Sequence, residues 1–271
     1  MPIIFTQPAG ISNPWDLSSA TLAGSFNFSE DTNMRGMAFK PDGTKMYLSG
    51  SIGSRVYQYT LSSPWVVSSA SYDGVGQSLL ISGQDSSPFE ISFSSDGTKL
   101  FMYGASSDAV YQYTLSSPWV VSSATYDSVS WGATGQDLDP SGMSFKSDGT
   151  KLYLAGNFSN SIYQYSLPTP WSLSTVNYDS LSKSVVGEDA TPAVAEFSSD
   201  GLTMFLAGTG NDDVFQYDLG TAWNVSTAVY NSVSKSCEVG ESSLWSVGFS
   251  ADGTKMYMLG LSTNTVYQYS L

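Results

Sequence analysis

The sequence predicts an all-β fold: a single five-bladed β-propeller over residues 1–271, with four antiparallel strands per blade and a ring closed by an N-terminal strand that completes the last blade. Three observations carry that expectation. An Asp-Gly pair recurs at Asp42, Asp96, Asp148, Asp200 and Asp252, spaced by 54, 52, 52 and 52 residues, and a fixed period of this size belongs to solenoids, propellers or arrays. A tyrosine-rich hexapeptide recurs in register: VYQYTL from Val56 and Val110, IYQYSL from Ile162, VFQYDL from Val214 and VYQYSL from Val266. The last repeat stops after that hexapeptide, and text matching its missing fourth strand, NPWDLSSATLAGSFNF, stands at residues 13–28. A repeat split in this way has a purpose in a closed ring, where the head of the chain pairs with its tail, and none in an open stack.

Each unit opens on a short inner strand, residues 35–39, 89–93, 141–145, 193–197 and 245–249, so the blades start near 34, 88, 140, 192 and 244. Residues 1–28 form the closing segment. The Asp-Gly pair then predicts a tight hairpin, since both residue types tolerate the positive φ such turns use. The second strands, KMYLSG, KLFMYG, KLYLAG, TMFLAG and KMYMLG, are nearly continuous apolar runs. A sheet wet on one face would alternate, so these strands must be covered on both, as when sheets stack around an axis. A Gly-, Ser- and Asn-rich loop leads to the hexapeptide strand, whose two tyrosines share a face at period two. A corner follows at Trp15, Trp65, Trp119, Trp171 and Trp223, and then a Ser- and Thr-rich outer strand.

Composition excludes several function classes. With 24 acidic and 10 basic residues the formal charge is −14, and Lys45, Lys99, Lys151 and Lys255 are spread over the hairpins. No basic patch remains for counterion release, so neither nucleic acid nor an anionic membrane surface is an expected partner. Histidine is absent, which removes imidazole-based triads and the usual zinc, copper and haem sites. No GxxxxGK[ST] phosphate loop occurs, and no cofactor or metal is expected. Cys237 is the sole cysteine, so no intrachain disulfide forms, and without a neighbouring base it reads as a packed thiol. The segment MPIIFTQPAG has no basic n-region and no long apolar stretch, so no signal peptide is expected. No apolar run approaches the ~18 residues of a membrane span, and the expectation is a soluble chain without membrane insertion.

The segments FSSDGTKLFMYG and FKPDGTKMYLSG resemble the SPDGxxLYV element of YVTN-type and related bacterial propellers. The longer text, DGTKxYxxG with VYQYxLSxPWxxSSAxYD, is similar to tandem propeller repeats of phage and bacterial surface proteins. The resemblance covers all five units, and its motif describes a hairpin, not a site. It implies a propeller placed in a virion fibre, decoration or adhesin, or displayed on a cell surface. The YVTN-type group includes lactonase-like enzymes, usually of seven blades; five blades depart from that pattern, and no catalytic residue carries over.

Candidate site residues come from the repeat and from its exceptions. A carboxylate stands eight residues before each inner-strand Phe: Asp31, Asp85, Asp137, Asp189 and Glu241. Ring symmetry puts all of them on one face, on the connections between blades and beside the loops joining second and third strands. They either hold turns through backbone N–H groups or form a circular site for a hydroxylated ligand or a cation. Trp245, a tryptophan without counterparts beside Glu241, joins them as a candidate ligand-binding residue. The repeated Tyr and corner Trp residues fit packing between blades. Glu90 and Glu196 lie on inner strands facing the axis, where paired carboxylates support glycosidase chemistry. Near-identical blades argue against a single asymmetric active site. The sequence therefore favours a non-enzymatic binding or structural module, with multivalent contacts to a glycan or protein receptor or to other virion or surface proteins; the alternative is a glycosidase or lactonase-like hydrolase with an acidic channel.

Overall fold

The computed structural model describes residues 14–238 and 240–271, so the expectations for residues 1–13 lie outside it. Five antiparallel sheets stand around a common axis, four with their strands in sequential order and the fifth completed by the N-terminal strand. Blade 1 comprises Met34–Phe39, Lys45–Gly50, Arg55–Leu61 and an outer strand broken into Ala70–Tyr72 and Leu79–Leu80. Blade 2 runs through Pro88–Phe93, Lys99–Gly104, Ala109–Leu115 and Ala124–Gly132, and blade 3 through Pro140–Phe145, Lys151–Gly156, Ser161–Ser166 and Asn177–Ser184. Blade 4 has Pro192–Phe197, Thr203–Gly208, Asp213–Leu219 and Ala228–Ser236. Blade 5 joins Leu244–Phe249, Lys255–Gly260 and Thr265–Ser270 to the N-terminal strand Thr21–Asn27, which pairs antiparallel with Thr265–Ser270. The head of the chain thus completes the sheet that its tail begins.

The long first spacing of 54 residues has a local cause. In blades 2, 3 and 4 the outer strand bulges at one serine with positive φ, Ser128, Ser180 or Ser232. In blade 1 that bulge expands into a short turn, Val75–Gln77, entered from Gly74 at φ +95°.

The hairpins depart from the expected geometry. Only the glycines, Gly43, Gly97, Gly149, Gly201 and Gly253, have positive φ, at 70–73°. In blade 1 the loop is wider than a two-residue turn, because Lys40 N–H donates to the Lys45 carbonyl and Gly43 N–H to the Lys40 carbonyl. Asp42 stays outside the left-handed region and acts through its side chain, accepting from Thr44 N–H (2.9 Å) and the Thr44 hydroxyl (2.6 Å). Glycine is needed here twice over. The indole of Trp65 lies against Gly43, and a Cβ there would overlap the ring.

Packing between blades explains why the repeats are so alike. Each of five apolar clusters joins two neighbouring blades, including blades 5 and 1 through Tyr257, Leu259 and Val266 against Met34, Leu48 and Tyr59. The second strands are buried along nearly their whole length, on both faces as expected. The glutamine of each hexapeptide adds a polar tie. Gln58, Gln112, Gln164, Gln216 and Gln268 each accept, through Oε1, the first backbone N–H of the corner turn of the following blade: Val121, Leu173, Val225, Leu17 and Val67. In blades 1 to 3 the amide nitrogen of the same glutamine donates to Asp73, Asp127 or Asp179 of its own outer strand. Those aspartates pair with Lys45, Lys99 and Lys151 of the hairpins at 2.7, 3.6 and 2.7 Å. Blade 4 loses both partners together, with Thr203 for the lysine and Asn231 for the aspartate. Among the described residues no helix is long and apolar enough to cross a membrane.

Candidate functional site: the axial channel

The disc has a loop face, which carries the connections between blades and the loops after the second strands, and a turn face, which carries the hairpins and the tryptophan corners. On the loop face, Asp31, Asp85, Asp137, Asp189 and Glu241 are 1–9% exposed. Their oxygens are filled from within the blade. Asp85 accepts from the N–H groups of Ser87, Ser106 and Ser107 and from the Ser107 hydroxyl. Asp31 takes Asn33 N–H, Gly53 N–H and the Tyr57 hydroxyl. Asp137 and Asp189 repeat the pattern. Glu241 accepts from five donors on Ser242, Ser243, Ser262 and Thr263. Each carboxylate ties the connection entering its blade to the loop after the second strand. It packs against the glycine that ends that strand, Gly50, Gly104, Gly156, Gly208 or Gly260, where a Cβ would overlap it.

The loop tips themselves are not repeated. Ile52 and Phe158 are 69% and 70% exposed, whereas the matching positions hold Ser106, Gly210 and Ser262. Leu138 and Val186 are also exposed on this face. Asn160 and Asp212 are already engaged across the blade boundary, with the Ala190 carbonyl and Leu244 N–H respectively.

Glu90 and Glu196 both face the axis but occupy different levels. Glu90 is buried beneath the loop face, where its Oε1 accepts from Met37 N–H (3.2 Å) and Ile91 N–H (3.0 Å). Desolvation holds its carboxyl well above the ordinary range, with the Glu196 charge acting in the same direction. Glu196 lies at the floor of a cavity of about 370 Å³ that opens on the turn face. The cup is walled by the five corner tryptophans and by Phe39, Phe93, Phe145, Phe197 and Phe249 of the inner strands. Burial pushes the Glu196 carboxyl up to about 8, against the weaker opposing effect of Phe197 N–H. At neutral pH it is therefore a hydrogen-bond donor inside an aromatic cup. Each tryptophan sits at φ 59–67° and tilts against its own blade's Phe at 5.3–5.7 Å between centroids. The hydroxyls of Tyr47, Tyr153 and Tyr257 hold the carbonyls of Trp119, Trp223 and Trp65 in the next blade. A second hollow of about 490 Å³ lies between blades 4 and 5, beside Asp16, Asp200 and Asp218.

The channel mouth on the loop face has a different chemistry. Arg35 of blade 1 rests against both Phe89 of blade 2 and Trp245 of blade 5, its guanidinium carbon 4.3 and 3.9 Å from their ring centroids. Trp245 Nε1–H donates to the Ser243 hydroxyl (2.8 Å), and its ring meets Phe89 edge-on at 5.3 Å. The equivalent positions of blades 3 and 4 are Ser141 and Ala193. The other unmatched tryptophan, Trp131, packs edge-on against Tyr165 of the next blade. Sequence reading found Trp245 but not its partners; the one available signal was a lone arginine at an inner-strand position that is uncharged in every other blade. Among the described residues no group of acidic or cysteine side chains is placed to hold a metal ion.

These features define a five-bladed β-propeller with an aromatic cup on its axis. No protein-family model matches the sequence, and neither does any curated protein. Similar solved structures include a functionally unknown protein from Desulfotomaculum acetoxidans, with 10% identity, a TM-score of 0.51, and coverage of 87% of this chain and 68% of that one. A provisionally named 6-phosphogluconolactonase from Bacteroides uniformis gives 9% identity, a TM-score of 0.52, and coverage of 83% and 63%. Hydrazine synthase of Kuenenia stuttgartiensis gives 17%, 0.49, and coverage of 85% and 56%. This chain spans less than two thirds of the latter two, and likeness at these identities concerns the fold alone.

Proposed function

We propose that this propeller is a non-enzymatic recognition module that takes a neutral, hydroxylated ring, a sugar unit of a glycan, into the axial cup. One observation carries the reading: Glu196, whose carboxyl is pushed up to about 8 by desolvation, lines a cavity walled by ten aromatic side chains. Binding pockets are mostly apolar with a few placed polar groups, and a carboxylic acid held neutral donates to a hydroxyl. Among the described residues no Lys or Arg side chain lines the cup to favour an anionic ligand there. The similarity of the repeats to those of phage and bacterial surface proteins supports a setting in a virion fibre, decoration or adhesin, or on a cell surface. Five-fold contact through the loops has less support, because repeated positions are spent on packing while the exposed tips differ.

The hydrolase reading draws on the two axial acids, on the lactonase-like members of the YVTN-type group, and on the likeness to the 6-phosphogluconolactonase propeller. It requires one carboxylate ionised beside one protonated, whereas burial raises both Glu90 and Glu196. Glycan-array binding, followed by tryptophan-fluorescence titration of the hits on wild type and Glu196→Gln and by turnover assays on chromogenic glycosides, tests both. The expected result is saturable binding that weakens in wild type as pH rises above about 8 but not in Glu196→Gln, whose amide stays a neutral donor, without turnover in either. Turnover that vanishes in Glu196→Gln would install the hydrolase instead. An array without hits would remove the cup's assignment to sugars.

A further inference from the structure

We propose that the opposite mouth of the channel is a recognition site for a carboxylate-bearing ligand, held by the fork of Arg35 where it rests against Phe89 and Trp245. The site stands independently of the cup, since it uses other residues on the other face. Two aromatic rings approach the guanidinium carbon at 4.3 and 3.9 Å, which is cation–π distance, and with their own centroids 5.3 Å apart they form a corner against which the group rests. Its Nε donates to Asn33 Oδ1 at 2.8 Å, and no protein acceptor bonds its two terminal nitrogens among the described residues. A guanidinium held at Nε by Asn33 and resting in an aromatic corner, with its terminal fork free, can offer paired hydrogen bonds to a carboxylate.

Acidic residues outnumber basic ones by 24 to 10, and five lysines pair with carboxylates; Arg35, like Arg55, Lys183, Lys235 and Lys255, has no carboxylate within 4.0 Å among the described residues. Burial lowers its pKa without a compensating anion, so the cation carries a desolvation cost that a bound anion offsets. The clamp is also built from three consecutive blades, and its members have no counterparts in blades 3 and 4. Packing shared by all blades does not explain it.

The chain contains two arginines, Arg35 and Arg55, which makes the test direct. Arg55 bonds Ser78 on the rim of blade 1 and serves as the internal control. The ¹⁵N-labelled protein is titrated with sodium acetate, with inorganic phosphate in a second arm and sodium chloride at matched ionic strength in a third, and the arginine Nε–H and Trp245 indole signals are followed. The expected result is a saturable shift of Arg35 and Trp245 with acetate, while Arg55 moves only as it does with chloride. In Arg35→Lys, which keeps the charge but loses the fork, the Trp245 shift requires roughly tenfold more acetate, equivalent to about one hydrogen bond. Dispersion of the remaining amide signals verifies that this variant is folded. Equal movement of both arginines, saturation by phosphate alone, or an Arg35→Lys response identical to wild type overturns the assignment.

Discussion

At the scale of single residues, the carboxyls separate into two groups whose pH dependence has opposite sign. Glu196 has a folded-state pKa of about 8 because burial disfavours its charge, against an ordinary value of about 4.3 for glutamate. Between those values the folded chain holds a proton that the unfolded chain has released, so this group's contribution to stability falls as pH rises, then levels off above the folded value. Glu196→Gln does not titrate. Its melting temperature should match wild type near pH 4–5 and exceed it increasingly towards pH 9, as read by thermal denaturation across that range. A difference that stays constant with pH would contradict the burial described for this side chain. Asp73 and Asp179 behave in the opposite way: burial pushes them up, but bonds from Lys45, Thr60 and Gln58, or from Lys151, Ser166 and Gln164, outweigh it and hold both below the usual range. Their contribution is complete above the unfolded value and is lost as pH falls through the depressed one.

At the scale of elements, the repeated text is a set of instructions for joining blades. The hexapeptide glutamine looks like a surface residue of a strand, yet Gln164 is 2% exposed and its carbonyl receives Val225 N–H at 3.1 Å from the next blade. Gln164→Ala leaves that buried N–H, and the Asp179 carboxylate behind it, short of a partner. The expected cost is about 1–3 kcal/mol, seen as a lower urea midpoint with unchanged slope; a midpoint equal to wild type would show that the tie between blades contributes nothing. Strand positions and the covered second strands were legible in the sequence because apolar runs and period-two patterns are local signals. The hairpin was less so. The Asp-Gly pair suggested a tight turn using positive φ at both residues, whereas Lys40 N–H reaching the Lys45 carbonyl gives a longer loop in which only Gly43 takes positive φ.

At the scale of the whole molecule, closure depends on the N-terminal segment. Thr21–Asn27 supplies the outer strand of blade 5, and Leu17 N–H receives the tie from Gln216 at 2.9 Å. Removing residues 1–28 exposes the edge of Thr265–Ser270 and opens the blade 4–blade 5 boundary. Such a chain should melt lower and associate in a concentration-dependent way, as sedimentation and calorimetry would report; melting unchanged from the full chain would break the closure argument. The sequence by itself determined the number of blades, their strand order and the way the ring shuts, because each follows from a repeat whose spacing and split ends are written in one dimension. Only the tertiary structure decided what the side chains do. It filled Asp31, Asp85, Asp137, Asp189 and Glu241 with backbone N–H groups, gathered five distant tryptophans around Glu196, and set Arg35 against Phe89 and Trp245. Those outcomes depend on residues from different blades meeting at an axis, and no local pattern encodes the distance between them.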